Sequence, residues 1–428
     1  MWEPSNPGRA DFVRSSPALR GGTGHSREVL VIAAPGQGAQ RPGFLTPWLE
    51  DATFADRLHW LSAVSGVDLA YYGTHADAET IRDTAIAQPL IVGSGLVATL
   101  ALFPHPSDAF DKVGAAAGHS VGEITAATGV GILSAEQAMV LVRERGKAMA
   151  EASAATPTGM TAVLGGDRHE VLAKLAEHDL VAANDNGAGQ VVAAGTLEQL
   201  TALHDDPPAN ARLTPLPVAG AFHTQHMAPA VKVLARYARS VSTHDPRTRL
   251  LSNLDGQVVA DPREVLARIV AQVSRPVRWD LCMQTMADMG VTGMLEMPPA
   301  GTLTGIARRA LPGVDTFALK TPDQLDDARA FVDKHGAASP MDSSPSWRLL
   351  VAPMKGTFTR AHDLAADGMG TGAVLASGTV IGAVRSLRDE LAVRAPHGGT
   401  VVEWLVEDGD LVSPGQPLIR LHPEAVFT

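Results

Sequence analysis

Ser120 stands in Gly118-His119-Ser120-Val121-Gly122, a Gly-x-Ser-x-Gly arrangement. A serine hydroxyl is a weak nucleophile at neutral pH and needs an adjacent base and a sharp presentation to act. The run Asp111 to Ala117 ahead of it is short and apolar enough for a buried strand, and Glu123 to Val130 is helix-compatible. Strand, turn and helix together are the setting of a nucleophile elbow. The glycines allow a turn that no larger side chain tolerates. The serine is then presented beside a helix N-terminus, whose free N–H groups favour negative charge.

Other chemistry-bearing residues are scattered along the chain. The strand Val29 to Ala33 runs into Pro35-Gly36-Gln37-Gly38-Ala39-Gln40, a glycine-bearing junction with Gln37 as a polar finger. A helix from Ser134 to Ala154 carries Arg143, Arg145 and Lys147 around Gly146, with Ser134 and Gln137 placed as a capping box. Arg143 and Lys147 read as a solvated basic face; Arg145, two residues from each, cannot share it. A mid-helix glycine costs about 1 kcal/mol against alanine, so Gly146 points to close packing or ligand approach. His223 in Gly220-Ala221-Phe222-His223 is a candidate base, with His226 as its competitor.

These residues need a frame. Alternating strands and helices predict an α/β main domain with a largely parallel sheet, α/β-hydrolase-like around the elbow. Ala87-Gln88-Pro89-Leu90 opens an apolar helix to Leu102, with Pro89 suited to a first turn. From Gly159 the order becomes β-α-β-β-α-β, the split βαβ, ferredoxin-like plan, read as an insert over 158–220 that delivers His223 back to the main domain. Pro276-Val277-Arg278-Trp279 reads as a break between helices, and Met294 to Met297 as a strand. The main domain is expected over 28–321, a Pro/Ser/Gly/Asp-mixed linker over 322–347, and a different kind of domain over 348–424. In that last segment Ala352-Pro353-Met354-Lys355-Gly356-Thr357 resembles Ala395-Pro396-His397-Gly398-Gly399-Thr400, and Gly378 has a counterpart in Gly415. Two like halves of short strands predict a small all-β sandwich with pseudo-twofold symmetry.

Composition bounds the rest. The chain has 428 residues, is 45% hydrophobic and carries one cysteine, Cys282, which excludes an intramolecular disulfide framework and suits the cytoplasm. Residues 1–27 are polar, lack a signal peptide's apolar stretch, and read as a disordered tail. The net charge of −11 argues against nucleic-acid binding. The apolar runs read as too short for a membrane span. No metal-ligand spacing stands out.

The ordered set Pro35-Gly36-Gln37-Gly38-Ala39-Gln40, Ala87-Gln88-Pro89, Gly118-His119-Ser120-Val121-Gly122-Glu123, Arg145-Gly146-Lys147-Ala148-Met149, Asn184-Asp185-Asn186, Gly220-Ala221-Phe222-His223 and Pro276-Val277-Arg278-Trp279 resembles malonyl-CoA:acyl carrier protein transacylases and the acyltransferase domains of polyketide synthases. The resemblance covers roughly Val29 to Leu319. It implies Ser120 as the acyl-carrying nucleophile, His223 as its general base, and the carbonyl of Gln272 as the group that orients the base. It implies an oxyanion hole from Gln37 and the Val121 N–H, and Arg145 as the partner of a malonyl carboxylate. Gln88, His119, Asn184 and Asn186 match pocket-shaping positions, and Phe222 before His223 matches the malonyl-selective form. Malonyl-CoA is then the substrate and an acyl carrier protein the partner, in fatty acid or polyketide synthesis; the alternatives weighed are an editing hydrolase and a trans-acting enzyme whose tail recruits. Relatives usually carry Gly-Pro-Gly after the glutamate matching Glu296, where this chain has Pro298-Pro299-Ala300.

The last segment resembles the biotinyl domain of biotin carboxyl carrier proteins, with Arg360 to Met369 where some carry a thumb. That likeness implies a biotinyl/lipoyl-like flattened sandwich whose modified lysine sits in a hairpin between the halves. The matching stretch is Leu387-Arg388-Asp389, and arginine takes no biotin or lipoyl group; Lys355 lies in the other half. The expectation is a carrier without cargo, left to dock on a synthase or carboxylase component.

Overall fold

The computed structural model describes residues 29–218, 220–336, 348–361, 373–395 and 399–423. The tail at 1–27, Ala219, the linker residues 337–347, most of the thumb-like stretch and Pro396-His397-Gly398 lie outside these. The chain forms two compact units, one up to Ser339 and one from Pro340.

Along the first unit run β1 (Leu30–Ala34), β2 (Val113–Gly118), β3 (Thr158–Gly165), β4 (Val181–Asp185), β5 (Gln190–Thr196), β6 (Ala211–Pro215), β7 (Arg249–Leu251), β8 (Val277–Arg278), β9 (Gly293–Glu296) and β10 (Asp315–Ala318). Five of them form one sheet in the order β10-β9-β1-β2-β7, all parallel. Such a sheet must be covered on both faces, and the period-2 alternation shows how. Leu30 faces one apolar cluster with the helices Thr84–Leu102, Gly122–Gly129 and Ala135–Ala155. Val31 and Ala33 face another, with Trp279, Met283, Met286, Leu303 and Ile306. Cys282 belongs to this second cluster, and burial pushes its thiol up, out of reach of ionisation.

Several local expectations are corrected. Asp111 and Lys112 close a helix, Pro106–Lys112, and the strand starts at Val113. The helix read from Ala87 starts at Thr84, capped by Asp83 accepting from the Ala85 N–H, so Pro89 lies in its interior rather than its first turn. That helix is long and apolar enough to cross a membrane by length and composition, contrary to the reading of the apolar runs, but 72% of it is buried within the protein as a core helix. The supposed linker begins with the helix Leu325–His335, whose Ala328 and Val332 are buried against the first cluster. Proline breaks the chain at 276, yet Val277–Arg278 is a strand that pairs in parallel with Asn184–Asp185. The insert's sheet thus runs β6-β3-β5-β4-β8. Its first four strands have the antiparallel order of a split βαβ plan.

The loop at Pro298-Pro299-Ala300 is held by Glu296, whose carboxylate accepts from the N–H groups of Gly301 (2.9 Å), Leu303 (3.0 Å) and Thr304 (2.8 Å) at the start of the next helix. The Pro298–Pro299 peptide is cis.

The second unit contains β11 (Arg348–Val351), β12 (Gly356–Arg360), β13 (Val374–Leu375), β14 (Val380–Arg385), β15 (Glu390–Arg394), β16 (Gly399–Trp404), β17 (Leu411–Val412) and β18 (Pro417–Pro423). They form two antiparallel sheets, β11-β18-β16-β13 and β15-β14-β12-β17. Each half of the repeat lends two strands to either sheet, and exchanging the halves exchanges the sheets. Phe358, Ile381, Val384, Val401, Leu418 and Ile419 fill the shared core. Gly378 and Gly415 occupy matching turns with positive φ of 86° and 79°.

Gly146 is a test of the helix packing. A Cβ there would sit 2.8 Å from the Thr84 carbonyl oxygen and 3.1 Å from the Ala85 Cα, on the neighbouring helix. Gly146→Ala is expected to lower stability by about 1–3 kcal/mol through overpacking. Gly129→Ala, where a Cβ meets nothing within 4 Å, is expected to be neutral or mildly stabilising; thermal unfolding of the two variants checks this.

Candidate active site

The elbow is built by close approach. A Cβ on Gly118 would lie 2.0 Å from the Gly122 carbonyl carbon, and one on Gly122 would lie 2.2 Å from the Ala34 carbonyl oxygen. Neither position admits a side chain, which is why both glycines flank the serine. Ser120 itself is held at φ 54° and His223 at φ 61°, a left-handed conformation uncommon in non-glycine residues. The Ser120 N–H donates to Asn253 Oδ1 at 2.8 Å. The next N–H, that of Val121 at the helix N-cap, takes no protein acceptor among the described residues.

Ser120 Oγ lies 2.8 Å from His223 Nε2. The other ring nitrogen, Nδ1, lies 2.8 Å from the Gln272 carbonyl oxygen, so Nδ1 carries the hydrogen and Nε2 is left to accept. The His223 N–H donates to the Val273 carbonyl at 3.1 Å, which ties the end of the insert to the helix Pro262–Gln272. Burial, and then the charge of Arg145, push the His223 imidazole down to about 3. It is therefore neutral at physiological pH, the state a general base requires. His223, not the competing candidate His226, meets Ser120; His226 lies in the short helix Gln225–Met227, where its backbone N–H donates to Thr224 Oγ1.

Arg145 is 1% exposed. Its guanidinium donates to Gln88 Oε1 at 2.7 Å, to Gln272 Oε1 at 3.1 Å and to Ser120 Oγ at 3.3 Å. All three acceptors are neutral, and Arg145 Nε is buried without a partner among the described residues. Burial pushes Arg145 down to about 10, opposed by the charge of Glu123. A cation so placed still prefers an anion, and it sits against the nucleophile.

Gln37 is turned away from the role of a free finger. Its Nε2 donates to the Arg82 carbonyl and to Thr84 Oγ1, each at 3.3 Å, and its Oε1 accepts from Gln88 at 3.5 Å. Its side chain braces Gln88; what remains for chemistry is its backbone N–H. His119 Nε2 lies 2.9 Å from Asn186 Oδ1 and its ring meets Trp279 edge-on at 5.7 Å, which joins the elbow to the insert. Burial lowers the His119 pKa, with the Asn186 contact opposing. Asn184 sits on β4 beside Val277 with its Oδ1 buried and unpartnered among the described residues. Phe222 is packed in the first apolar cluster beside His223.

Two residues escaped the sequence reading. Asn253, two residues past the end of β7, donates its Nδ2 to the Gly118 carbonyl at 2.7 Å while its Oδ1 receives the Ser120 N–H. Glu123, inside the elbow motif, is buried; its Oε1 accepts from the Asn253 N–H at 2.6 Å and its Oε2 from Gln272 Nε2. Burial pushes Glu123 up to about 8, and the Asn253 donor and Arg145 pull it back. The one available signal was a lone carboxylate in the otherwise uncharged helix Gly122–Gly129.

A nucleophile, a neutral base, open N–H groups at a helix start and a buried arginine define a serine acyl-transfer site for an acyl group that carries a negative charge. The acyl transferase domain family matches residues 31–325. The malonyl CoA-acyl carrier protein transacylase of Mycobacterium tuberculosis is 49% identical over 299 residues, 70% of this chain and 99% of the relative. That of Mycolicibacterium smegmatis is 51% identical over 286 residues, 66% of this chain and 98% of the relative. The crystal structure of the M. tuberculosis enzyme superposes with a TM-score of 0.68 at 48% identity, covering 70% of this chain and 99% of that one. A type II polyketide synthase acyl-carrier protein in complex with its malonyl-transacylase matches with a TM-score of 0.66 at 26% identity, over 71% of this chain and 99% of the matched one. The chain belongs to the acyl transferase family, among its malonyl-CoA:acyl carrier protein transacylases. The matched family region ends before the second unit.

The low His223 pKa fixes a pH expectation. Below its ordinary value of 6.5 the unfolded chain binds a proton that the folded one refuses, so stability falls as pH drops from about 6.5 toward 3. Arg145→Ala removes the neighbouring charge and wets the site, and both raise the His223 pKa. The acid limb of kcat/KM for an acyl-CoA thioester is expected below pH 6.5 in the parent and at higher pH in the variant. A limb that does not move would show that Arg145 exerts no field on the base.

Proposed function

We propose that the first unit transfers malonyl from malonyl-CoA to the phosphopantetheine thiol of an acyl carrier protein through an ester on Ser120. The observation that carries this is the buried guanidinium of Arg145, held by neutral oxygens and 3.3 Å from Ser120 Oγ. In the first half, His223 Nε2 takes the Ser120 proton as Oγ attacks the thioester carbonyl. The developing oxyanion is received by the N–H groups of Val121 and Gln37. Collapse expels the coenzyme A thiolate, which regains the proton from His223. The carrier thiol then gives its proton to His223, attacks the ester, and the serine leaves with that proton. The substrate's free carboxylate takes the place of neutral contacts on Arg145, in a bidentate pairing that acetyl cannot make. Burying an unmatched arginine against acetyl is a stronger discriminator than an apolar wall. This retained arginine also speaks against an editing hydrolase, which gains nothing from favouring malonyl. No covalent cofactor enters the scheme, and the enzyme acts in the cytoplasm.

Intact-mass measurement after incubation with malonyl-CoA tests the core of this. A malonyl adduct is expected in the parent and none in Ser120→Ala; an adduct at full occupancy in the variant would displace Ser120 from its role. In the same assay Arg145→Ala is expected to lower malonyl transfer far more than acetyl transfer, by about 3–5 kcal/mol for a buried charge deprived of its partner.

For the second unit we propose a biotinyl-like module without cargo that recruits a synthase or carboxylase component. The supporting observation is the hairpin between β14 and β15. It is closed by the Ser386 N–H on the Asp389 carbonyl at 2.8 Å and by an Arg385–Glu390 pair at 2.8 Å, and it presents Leu387 fully exposed beside Arg388. Lys355 lies between β11 and β12 in the first half of the repeat, next to the base of this hairpin rather than away from it, since Thr357 pairs with Arg385; it is not in the hairpin turn itself. A chain cut near Ser344 is expected to transfer malonyl to free carrier protein at near-normal rate, and a streptavidin blot of the full chain to be blank. A blot-positive tail, or a folded but inactive truncated enzyme, would place the tail in the chemistry.

A further inference from the structure

Glu123 reaches none of the reacting atoms, yet each of its oxygens ends on a residue that holds one. Its Oε1 accepts from the N–H of Asn253, whose Oδ1 takes the Ser120 N–H at 2.8 Å. Its Oε2 accepts from Nε2 of Gln272. The second hydrogen of that same amide goes to Asn253 Oδ1 at 3.0 Å, which leaves Gln272 Oε1 for Arg145 at 3.1 Å. The Gln272 backbone carbonyl orients His223 at 2.8 Å. The amide of Gln272 therefore has one permitted orientation, with its oxygen toward the guanidinium and its nitrogen toward the carboxylate. Glu123, Arg145, Asn253 and Gln272 are all buried, so a wrong orientation cannot be repaired by water.

We propose that Glu123 is the positioning residue of this site: it fixes the amide of Gln272 so that a neutral oxygen meets the buried guanidinium, and the face of Arg145 beside Ser120 stays open for a substrate carboxylate. A carboxylate in direct contact with Arg145 would compete with the substrate for the cation. The neutral oxygen of Gln272 does not. The same group sets the Ser120 backbone through Asn253, so nucleophile, base and cation are held from one point. The inference rests on the malonyl reading given above.

The test is a swap. In Glu123→Gln, the new amide oxygen can satisfy the Asn253 N–H only by turning its NH2 against Gln272 Nε2. Gln272 can relieve that clash only by turning its own NH2 against Arg145. No arrangement satisfies every donor, and KM for malonyl-CoA is expected to rise roughly 10- to 100-fold, with a much smaller change for acetyl-CoA. The double variant Glu123→Gln with Gln272→Glu restores the match between residues 123 and 272 and still gives Arg145 an oxygen, but it sets the other carboxylate oxygen against Asn253 Oδ1 and places the charge directly on the guanidinium. It is expected to regain part of the thermal unfolding temperature lost in the single variant and to keep the raised KM for malonyl-CoA. Recovery of stability and malonyl KM together would reduce Glu123 to a structural bond and overturn the proposal. Equal losses for malonyl and acetyl in the single variant would do the same. A parent enzyme that does not prefer malonyl over acetyl would instead sink the malonyl reading, and the parent is measured beside each variant.

Discussion

A positive charge buried without an anion in contact is the condition on which this site depends. Burying a guanidinium costs several kcal/mol unless it is matched, and Arg145 is matched incompletely, by the oxygens of Gln88, Gln272 and Ser120. The chain keeps it there by surrounding it with polar groups that are themselves held in place. Gln37 braces Gln88, and Glu123 fixes Gln272. The incomplete match is what a charged acyl group can relieve, so the cost of folding around Arg145 returns as selectivity at the moment of binding.

That arrangement needs elements from distant parts of the chain to meet within hydrogen-bond reach. The parallel sheet brings β1, β2 and β7 side by side, so that Gln37, Ser120 and Asn253 emerge at one end of it. This is the end of the strands where an open α/β sheet accepts ligands. The helix Ala135–Ala155 supplies Arg145 and comes close because Gly146 lets the backbone of the helix Thr84–Leu102 approach. The insert returns the chain at His223, and β8 joins the insert's sheet, so the same junction carries His119, Asn186 and Trp279.

The second unit obeys a different logic. Its halves trade strands between two sheets, so neither half has a core of its own and the pair must fold together. The hairpin joining the halves is held by its own hydrogen bonds and an ion pair, independent of what its tip displays. A frame of that kind does not depend on which residues stand at the tip, here Leu387 and Arg388.

Much of this was legible in the sequence because it rests on local rules. Gly118 and Gly122 announce the elbow, since only glycine passes so close to neighbouring backbone. Two-residue spacing separates Arg145 from Arg143 and Lys147 on a helix, and burial follows that separation. The alternation of short strands in the last segment, with glycines at equivalent turns, states its internal symmetry. What the sequence could not disclose was decided by contacts between residues far apart in it. Pro89 suits a helix start by its own geometry, but Asp83 caps the helix earlier. Pro276 breaks the chain, but Asn184 and Asp185 recruit the next residues as a strand. Gln37 was free to be a finger until Thr84 and Arg82 met it. Asn253 carries no local mark of its role, and Glu123, 130 positions away, only that of a lone carboxylate in an uncharged helix; a buried carboxylate acquires its meaning from the donors that tertiary packing aims at it, and those donors come from other strands and helices.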